Sequence, residues 1–197
     1  MIQSEDFKRI LVDNSISVSE IVKQYIIFGT PFIFKDDESL YYQLKKKIAN
    51  HFTISSINSI MVVGSSKLGF SISPLKDFRN IQDDSDIDVA IVDNEIFDNF
   101  WERVFEYNIE ITSRTEKEDN NYRKFLEYFF KGWMRPDLLP FGFIGKNEWF
   151  DFFNSISYKE FDGRKVTAAI YRNEYFFKKY HENNIELLRR KIKNEQR

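Results

Sequence analysis

Ile60-Met61-Val62-Val63-Gly64-Ser65-Ser66, read together with Ser85-Asp86-Ile87-Asp88-Val89-Ala90-Ile91-Val92, is the stretch on which the fold turns. An apolar run of β-formers enters a Gly-Ser turn, and a second apolar run opens with two acids one residue apart. Side chains alternate across a strand, so Asp86 and Asp88 share one face and stand roughly 6 to 7 Å apart along it. Two acids on the same face of an otherwise apolar run call for solvent, metal or substrate on that face. The preceding turn offers backbone N–H groups and the hydroxyls of Ser65 and Ser66 where a helix can begin, a setting that attracts phosphate.

Outward from this pair, helical and extended patterns alternate. Ser17-Val18-Ser19-Glu20 has capping-box spacing, and the pattern predicts a helix over 17–28 ending at Gly29. Thr30 to Phe34 reads as extended, and a helix over 38–52 carries Leu40, Leu44 and Ile48 on one face. The connection from Lys67 to Asp84, with Gly69 and Pro74, is long enough to be functional or mobile. Asn94 caps a helix bearing Phe97, Phe100, Trp101, Val104 and Phe105, and a helix over 117–130 points Phe125, Phe129 and Phe130 inward. Pro136 lacks an N–H and restrains Arg135, so an edge strand or ordered loop is expected over 132–140. A short helix over 148–153, a strand over 166–171 and a closing helix over 173–193 complete the pattern.

The chain of 197 residues fits one domain, divided into an N-terminal helical region (1–58), a core (59–140) and a C-terminal helical region (141–197). The expected fold class is α+β, or mixed α/β: a small twisted mixed sheet with helices mainly on one face and the acids on the open face. With 29 basic and 31 acidic residues there is no global basic field to announce nucleic-acid binding. The absence of cysteine excludes disulfides and thiolate metal sites and fits a cytoplasmic location. The N-terminus is polar and no stretch is apolar enough to span a bilayer, so no membrane insertion is expected.

The order strand, Gly-Ser, connection, strand with Asp-x-Asp resembles the nucleotidyltransferase fold of the DNA polymerase β superfamily, with Gly64, Ser65, Asp86 and Asp88 matching its motif. The resemblance implies a metal-dependent nucleotidyltransferase, in which Asp86 and Asp88 hold Mg²⁺ or Mn²⁺ and a nucleoside triphosphate of the ATP or dATP kind loses pyrophosphate. Gly64, Ser65, Ser66 and Lys67 would then bind the nucleotide, with Lys67 or Arg79 neutralising the triphosphate. Family members generally add a third carboxylate from a later strand. Asp137, in Arg135-Pro136-Asp137-Leu138-Leu139-Pro140, resembles the acid-bearing segment of cyclic-oligonucleotide synthases and is the candidate third catalytic and metal residue. Glu110 is the reserve, and a two-acid site as in small antitoxin relatives also fits.

In size and element order the chain is similar to compact bacterial antiviral defence enzymes, cyclic-nucleotide synthases and Hailong-type enzymes among them. The partners implied are a triphosphate substrate, an oligonucleotide product or nucleic-acid strand, and an effector or toxin protein. The alternatives are an antitoxin-type enzyme that AMPylates a toxin, and a catalytically idle nucleotide- or partner-binding module. His51 and His181 have no partner at ligand spacing and read as structural. Trp101, Trp133 and Trp149 read as core or groove walls. The basic run Lys178, Lys179, Arg189, Arg190, Lys191, Lys193 and Arg197 reads as a solvated helix face, with a nucleic-acid guide near Tyr171, Tyr175 and Tyr180 as the sharper alternative.

Overall fold

Apolar residues spaced for strands and helices build two cores on opposite faces of one sheet. The computed structural model describes every residue except Pro74, Lys159, Asp162, Gln196 and Arg197. Pro74, in the long connection, and Arg197, in the basic run, therefore lie outside the described residues.

Strands β1 (Ile60–Val63), β2 (Ile87–Val92), β3 (Trp133–Met134) and β4 (Val166–Tyr171) form a mixed sheet in the order β1-β2-β4-β3. β1 runs antiparallel to β2, β2 parallel to β4, and β3 antiparallel to β4. β4, from the region of the chain expected to be helical, thus lies beside the strand that carries the acids. The molecule is α+β, as its patterning implied.

Alternation along β2 sends Ile87, Val89 and Ile91 into one core and Ala90 into the other. The first core is closed by α3 (Glu38–Phe52), α5 (Asn94–Glu110), α6 (Glu116–Phe130) and α7 (Ile144–Ile156), with Leu44, Phe97, Phe125 and Trp149 buried. The second is closed by α1 (Ser4–Val12), the helical segment α2 (Val18–Ile21) with its π-turn continuation Val22–Ile27, α4 (Gly64–Leu68) and α8 (Glu174–Glu195).

Helices therefore cover both faces, and the expected bare face is corrected: the acid-bearing face is roofed over Ala90 and Tyr171 and left open toward Asp88. The reason is the apolar side of α8, whose Phe177, Ile185, Leu188 and Ile192 need burial as much as the sheet does. α1 carries Phe7 and Leu11 into the same layer, a helix that its polar neighbours mask in the sequence.

Side-chain caps set most helix starts. Asp37, Asp93 and Thr115 accept from backbone N–H groups at the starts of α3, α5 and α6, so α5 is capped one residue before Asn94. Residues 32–34 form a 3-10 turn rather than an extended piece. α7 is longer than expected, beginning at Ile144. Trp101 and Phe105 face outward on α5, and Phe130 is 88 % exposed rather than inward. Among the described residues no helix is long and apolar enough to cross a membrane.

Candidate active site

The open end of the second face is a cleft of about 680 Å³, lined by Gly64, Ser65, Asp86, Asp88, Thr167 and Asp137 among others. That volume lies within the range of small-molecule sites. Asp88 is the second residue of β2 and Asp86 immediately precedes the strand, and their neighbourhood is tied down from several directions. The Ser66 hydroxyl donates to the Asp86 carbonyl at 2.7 Å. Arg164, buried, donates to the carbonyls of Gln82 at 2.6 Å and Ser85 at 3.0 Å. Thr167, opposite Asp88 in the parallel register, donates its hydroxyl to Asp88 Oδ1 at 3.0 Å.

Gly64 has φ +67°, and a Cβ there would sit 2.8 Å from Asp88 Oδ2. Both the backbone conformation and the carboxylate require glycine. Replacing Gly64 with Ala is expected to destabilise the fold by roughly 1 to 3 kcal/mol and to push the Asp88 carboxylate aside. Urea denaturation checks the first effect and Mn²⁺ titration the second.

Solvent reaches Asp88 through the cleft, while protein atoms crowd its other sides. This desolvation raises its pKa; the Thr167 hydrogen bond opposes the shift, Asp86 adds to it and Lys76 opposes it. Among the described residues, the cations lining the cleft are Lys76, Arg135 and Lys165. Sequence reasoning missed Lys76, Lys165 and Thr167, because only the pairing of β4 with β2 and the fold of the long connection bring them there.

Two expectations about cations are corrected. Lys67 is 6 % exposed and donates to the carbonyls of Phe28 (2.7 Å) and Gly29, so it holds the N-terminal layer instead of a phosphate. Burial, aided by Lys45, lowers its pKa to about 8. Arg79 lies outside the cleft lining, where Lys76 from the same turn takes its place. On α8, whose basic run reads as a solvated face, Lys178 pairs with Glu174, Lys179 with Glu182 and Arg190 with Glu186, while Arg189 donates to the carbonyls of Leu11 and Ile16. Ser66, fully buried on the Asp86 carbonyl, is likewise a brace and not a wall of the cleft.

Asp137 reaches the cleft wall, but on a 3-10 turn Pro136–Leu138 and not on a strand. Arg135 grips it with two hydrogen bonds, at 3.1 and 2.7 Å. Glu110 ends α5, on the solvent side and away from the cleft lining, since Asn108 to Glu110 is helical and not extended. The residue that the sheet sets beside Asp88 is Thr167, so the strand position flanking the acid pair carries a hydroxyl. Among the described residues no cluster of three or more His, Cys, Asp or Glu side chains is grouped to hold a metal.

Two carboxylates still fit Mg²⁺, which keeps several waters and binds through one or two carboxylates plus substrate phosphates.

Aromatic rings close the far end of the cleft. Trp133 lies parallel to Tyr171, with centroids 5.8 Å apart and a 5° interplanar angle, and 4.5 Å from Tyr180. His181 lines this end as well, 6 % exposed with its Nε2 unpartnered, and burial lowers its pKa to about 4. Its place on α8 gave no sign of this. His51 stacks on Phe152 at 3.9 Å and is structural. Trp149 is core, whereas Trp101 is 45 % exposed on α5. β3 pairs only with Tyr171 and Ile170, so among the described residues no strand pairs with the outer side of 166–169, along which the cleft runs.

Comparison of the chain with protein-family models, with curated proteins and with solved structures gave no match.

Proposed function

We propose that the protein is a metal-dependent nucleotidyltransferase that takes a nucleoside triphosphate of the ATP or dATP kind and releases pyrophosphate. The observation that carries this reading is the acid pair at the start of β2 lining a cleft, with Gly64 held free of a side chain where Asp88 turns its carboxylate. Asp86 and Asp88 would hold Mg²⁺ or Mn²⁺, which when bound neutralises the triphosphate and activates an acceptor hydroxyl. Thr167 fixes one oxygen of Asp88 and leaves the other toward Gly64. Lys76, Lys165 and Arg135 place positive charge around the departing pyrophosphate, where negative charge grows during in-line attack. Asp137 is engaged by Arg135 and acts in this reading by orienting that cation. The Trp133 and Tyr180 rings supply an aromatic wall for a base or an aromatic acceptor.

The acceptor sets the product class. An acceptor nucleotide leads to an oligonucleotide or cyclic signal of the antiviral defence kind, and a toxin side chain leads to AMPylation of a partner. Thr167 at the place beside the acids favours a second reading, a module that binds nucleotide without transferring it. Incubation with α-³²P-labelled ATP, dATP and the other triphosphates in Mg²⁺ or Mn²⁺ separates the two. Labelled oligomer, cyclic product or protein together with pyrophosphate is the expected result. Tight metal-dependent binding of triphosphate with no pyrophosphate would establish the idle module, and absence of both binding and turnover would remove the proposal.

A further inference from the structure

The outer side of the α5–α6 hairpin carries an apolar seam with no cover. Trp101, Phe105 and Ile109 recur every fourth residue on α5 and are 45 %, 59 % and 69 % exposed. Leu126 and Phe130 have the same spacing on α6 and are 45 % and 88 % exposed. The Trp101 and Phe129 rings lie 4.9 Å apart, and Asn108 Nδ2 donates to the Tyr122 hydroxyl at 2.7 Å. These two contacts make the helices antiparallel neighbours and set both apolar rows along one seam, on the side away from the sheet. Together the five side chains leave roughly 500 Å² of apolar surface, judged from the 150–250 Å² of a whole aromatic side chain. That is at the upper end of what a monomer exposes without a partner and a large share of the ~800 Å² that one side of a standard interface contributes.

Charge says what fits there. Asp98, Glu102, Glu106 and Glu110 form a second row on α5, beside the apolar one. Asp98 pairs with Arg172 at 3.1 Å, whereas Glu102, Glu106 and Glu110 are exposed and make no ion pair or hydrogen bond among the described residues. On the α6 side the charges close on themselves, Arg123 with Asp119 at 2.8 Å and Lys131 with Glu127 at 2.7 Å.

We propose that this seam docks an amphipathic helix of a partner protein whose apolar stripe is flanked by lysine or arginine. A groove between two helices accepts a third through anchors spaced three and four residues apart, and the open carboxylates select a basic flank. A second copy of this chain would bring the same carboxylates, and an anionic membrane surface would be repelled by them.

The test uses the full chain and two labelled model helices of about 18 residues, with identical leucine stripes flanked by lysine in one and glutamate in the other. Fluorescence anisotropy should show the lysine helix binding at least about tenfold more tightly than the glutamate helix. Phe105→Ser with Ile109→Ser should weaken it about tenfold, and Glu102→Gln, Glu106→Gln and Glu110→Gln together should weaken it and flatten its salt dependence. If the serine variant fails to fold by circular dichroism, the glutamine variant carries the test, because those carboxylates hold no ion pair or hydrogen bond among the described residues. Equal binding of the two helices, or affinity indifferent to both variants, would overturn the proposal. A dimer of the protein alone that Phe105→Ser dissociates in sedimentation velocity would overturn it in favour of a second copy, and binding to phosphatidylserine vesicles lost in the serine variant would overturn it in favour of a membrane.

Discussion

Asp86→Asn and Asp88→Asn are each expected to lower nucleotidyl transfer by about 10³-fold or more, the scale of removing a group that offsets developing charge in a transition state, while leaving the fold intact. The two substitutions should differ in stability. Desolvation raises the pKa of Asp88, with Asp86 adding to the shift against the pull of Thr167 and Lys76. A raised folded-state pKa means that the folded protein holds the proton more tightly, so stability falls as pH rises from the ordinary carboxylate range through that value, and the charged form is a cost at neutral pH. An amide at position 88 removes that charge and still offers Thr167 an acceptor. Asp88→Asn should therefore melt at or above the wild-type temperature in metal-free buffer and lose the stabilisation that Mn²⁺ gives the wild type. The same shift places the acid limb of metal binding above the pH at which an unperturbed aspartate would set it. Calorimetry with and without Mn²⁺ reads all of this. Wild-type turnover in either variant would end the catalytic reading, since no other described side chains pair two carboxylates in this cleft.

The second large effect is on stability. His181 is buried at the aromatic end of the cleft, with the Phe177 ring at 4.5 Å and the Tyr180 ring at 5.1 Å, and its Nε2 has no hydrogen-bond partner among the described residues. Burial lowers its pKa from 6.5 to about 4. In the unfolded chain the imidazole takes up a proton below its ordinary value, while the folded chain refuses it until about 4. Stability is therefore fully present above the unfolded value and is lost as pH falls across that interval, by about 3 kcal/mol. His181→Leu removes the titration and offers Phe177 and Ile185 an apolar neighbour. Urea unfolding of the two proteins at pH 7 and near pH 4 should show the wild type losing about 3 kcal/mol more than the variant; parallel losses would mean that His181 is solvated or protonated in the fold. Carboxylates titrate in the same interval in both proteins, which is why the comparison and not the wild-type curve alone carries the result.

Much of the local structure is legible because it is written in short-range pattern. Strand β2 spans the expected Ile87 to Val92, and α3 occupies the expected 38–52, where Leu44 and Ile48 recur at helical spacing behind the Asp37 cap. Phe130 shows the limit of such reading. It continues a run of aromatics but stands about 100° around the helix from Phe129, and the face that meets α5 ends there. Lys67 shows another: a lysine after Gly-Ser-Ser suggests phosphate until the carbonyls of Phe28 and Gly29 arrive from the N-terminal layer to receive it. Asp137 lies in the segment where the family resemblance implies a third acid, yet Pro136 turns the chain into a 3-10 helix and Arg135 takes the carboxylate.

By itself the sequence determined most of the elements, the α+β class and the place of the acids Asp86 and Asp88 at the start of β2, because periodicity, capping and strand alternation are set by residues a few positions apart. Only the tertiary structure decided what surrounds those acids. Thr167 comes to Asp88 across 79 positions of chain through a parallel pairing that leaves no local mark. The second helical layer narrows an open face to a cleft, and the packing of α6 on α5 decides which of their aromatics are core and which form an exposed seam. Such long-range choices follow from which apolar faces bury one another, and a run of neighbouring residues does not record its distant partners.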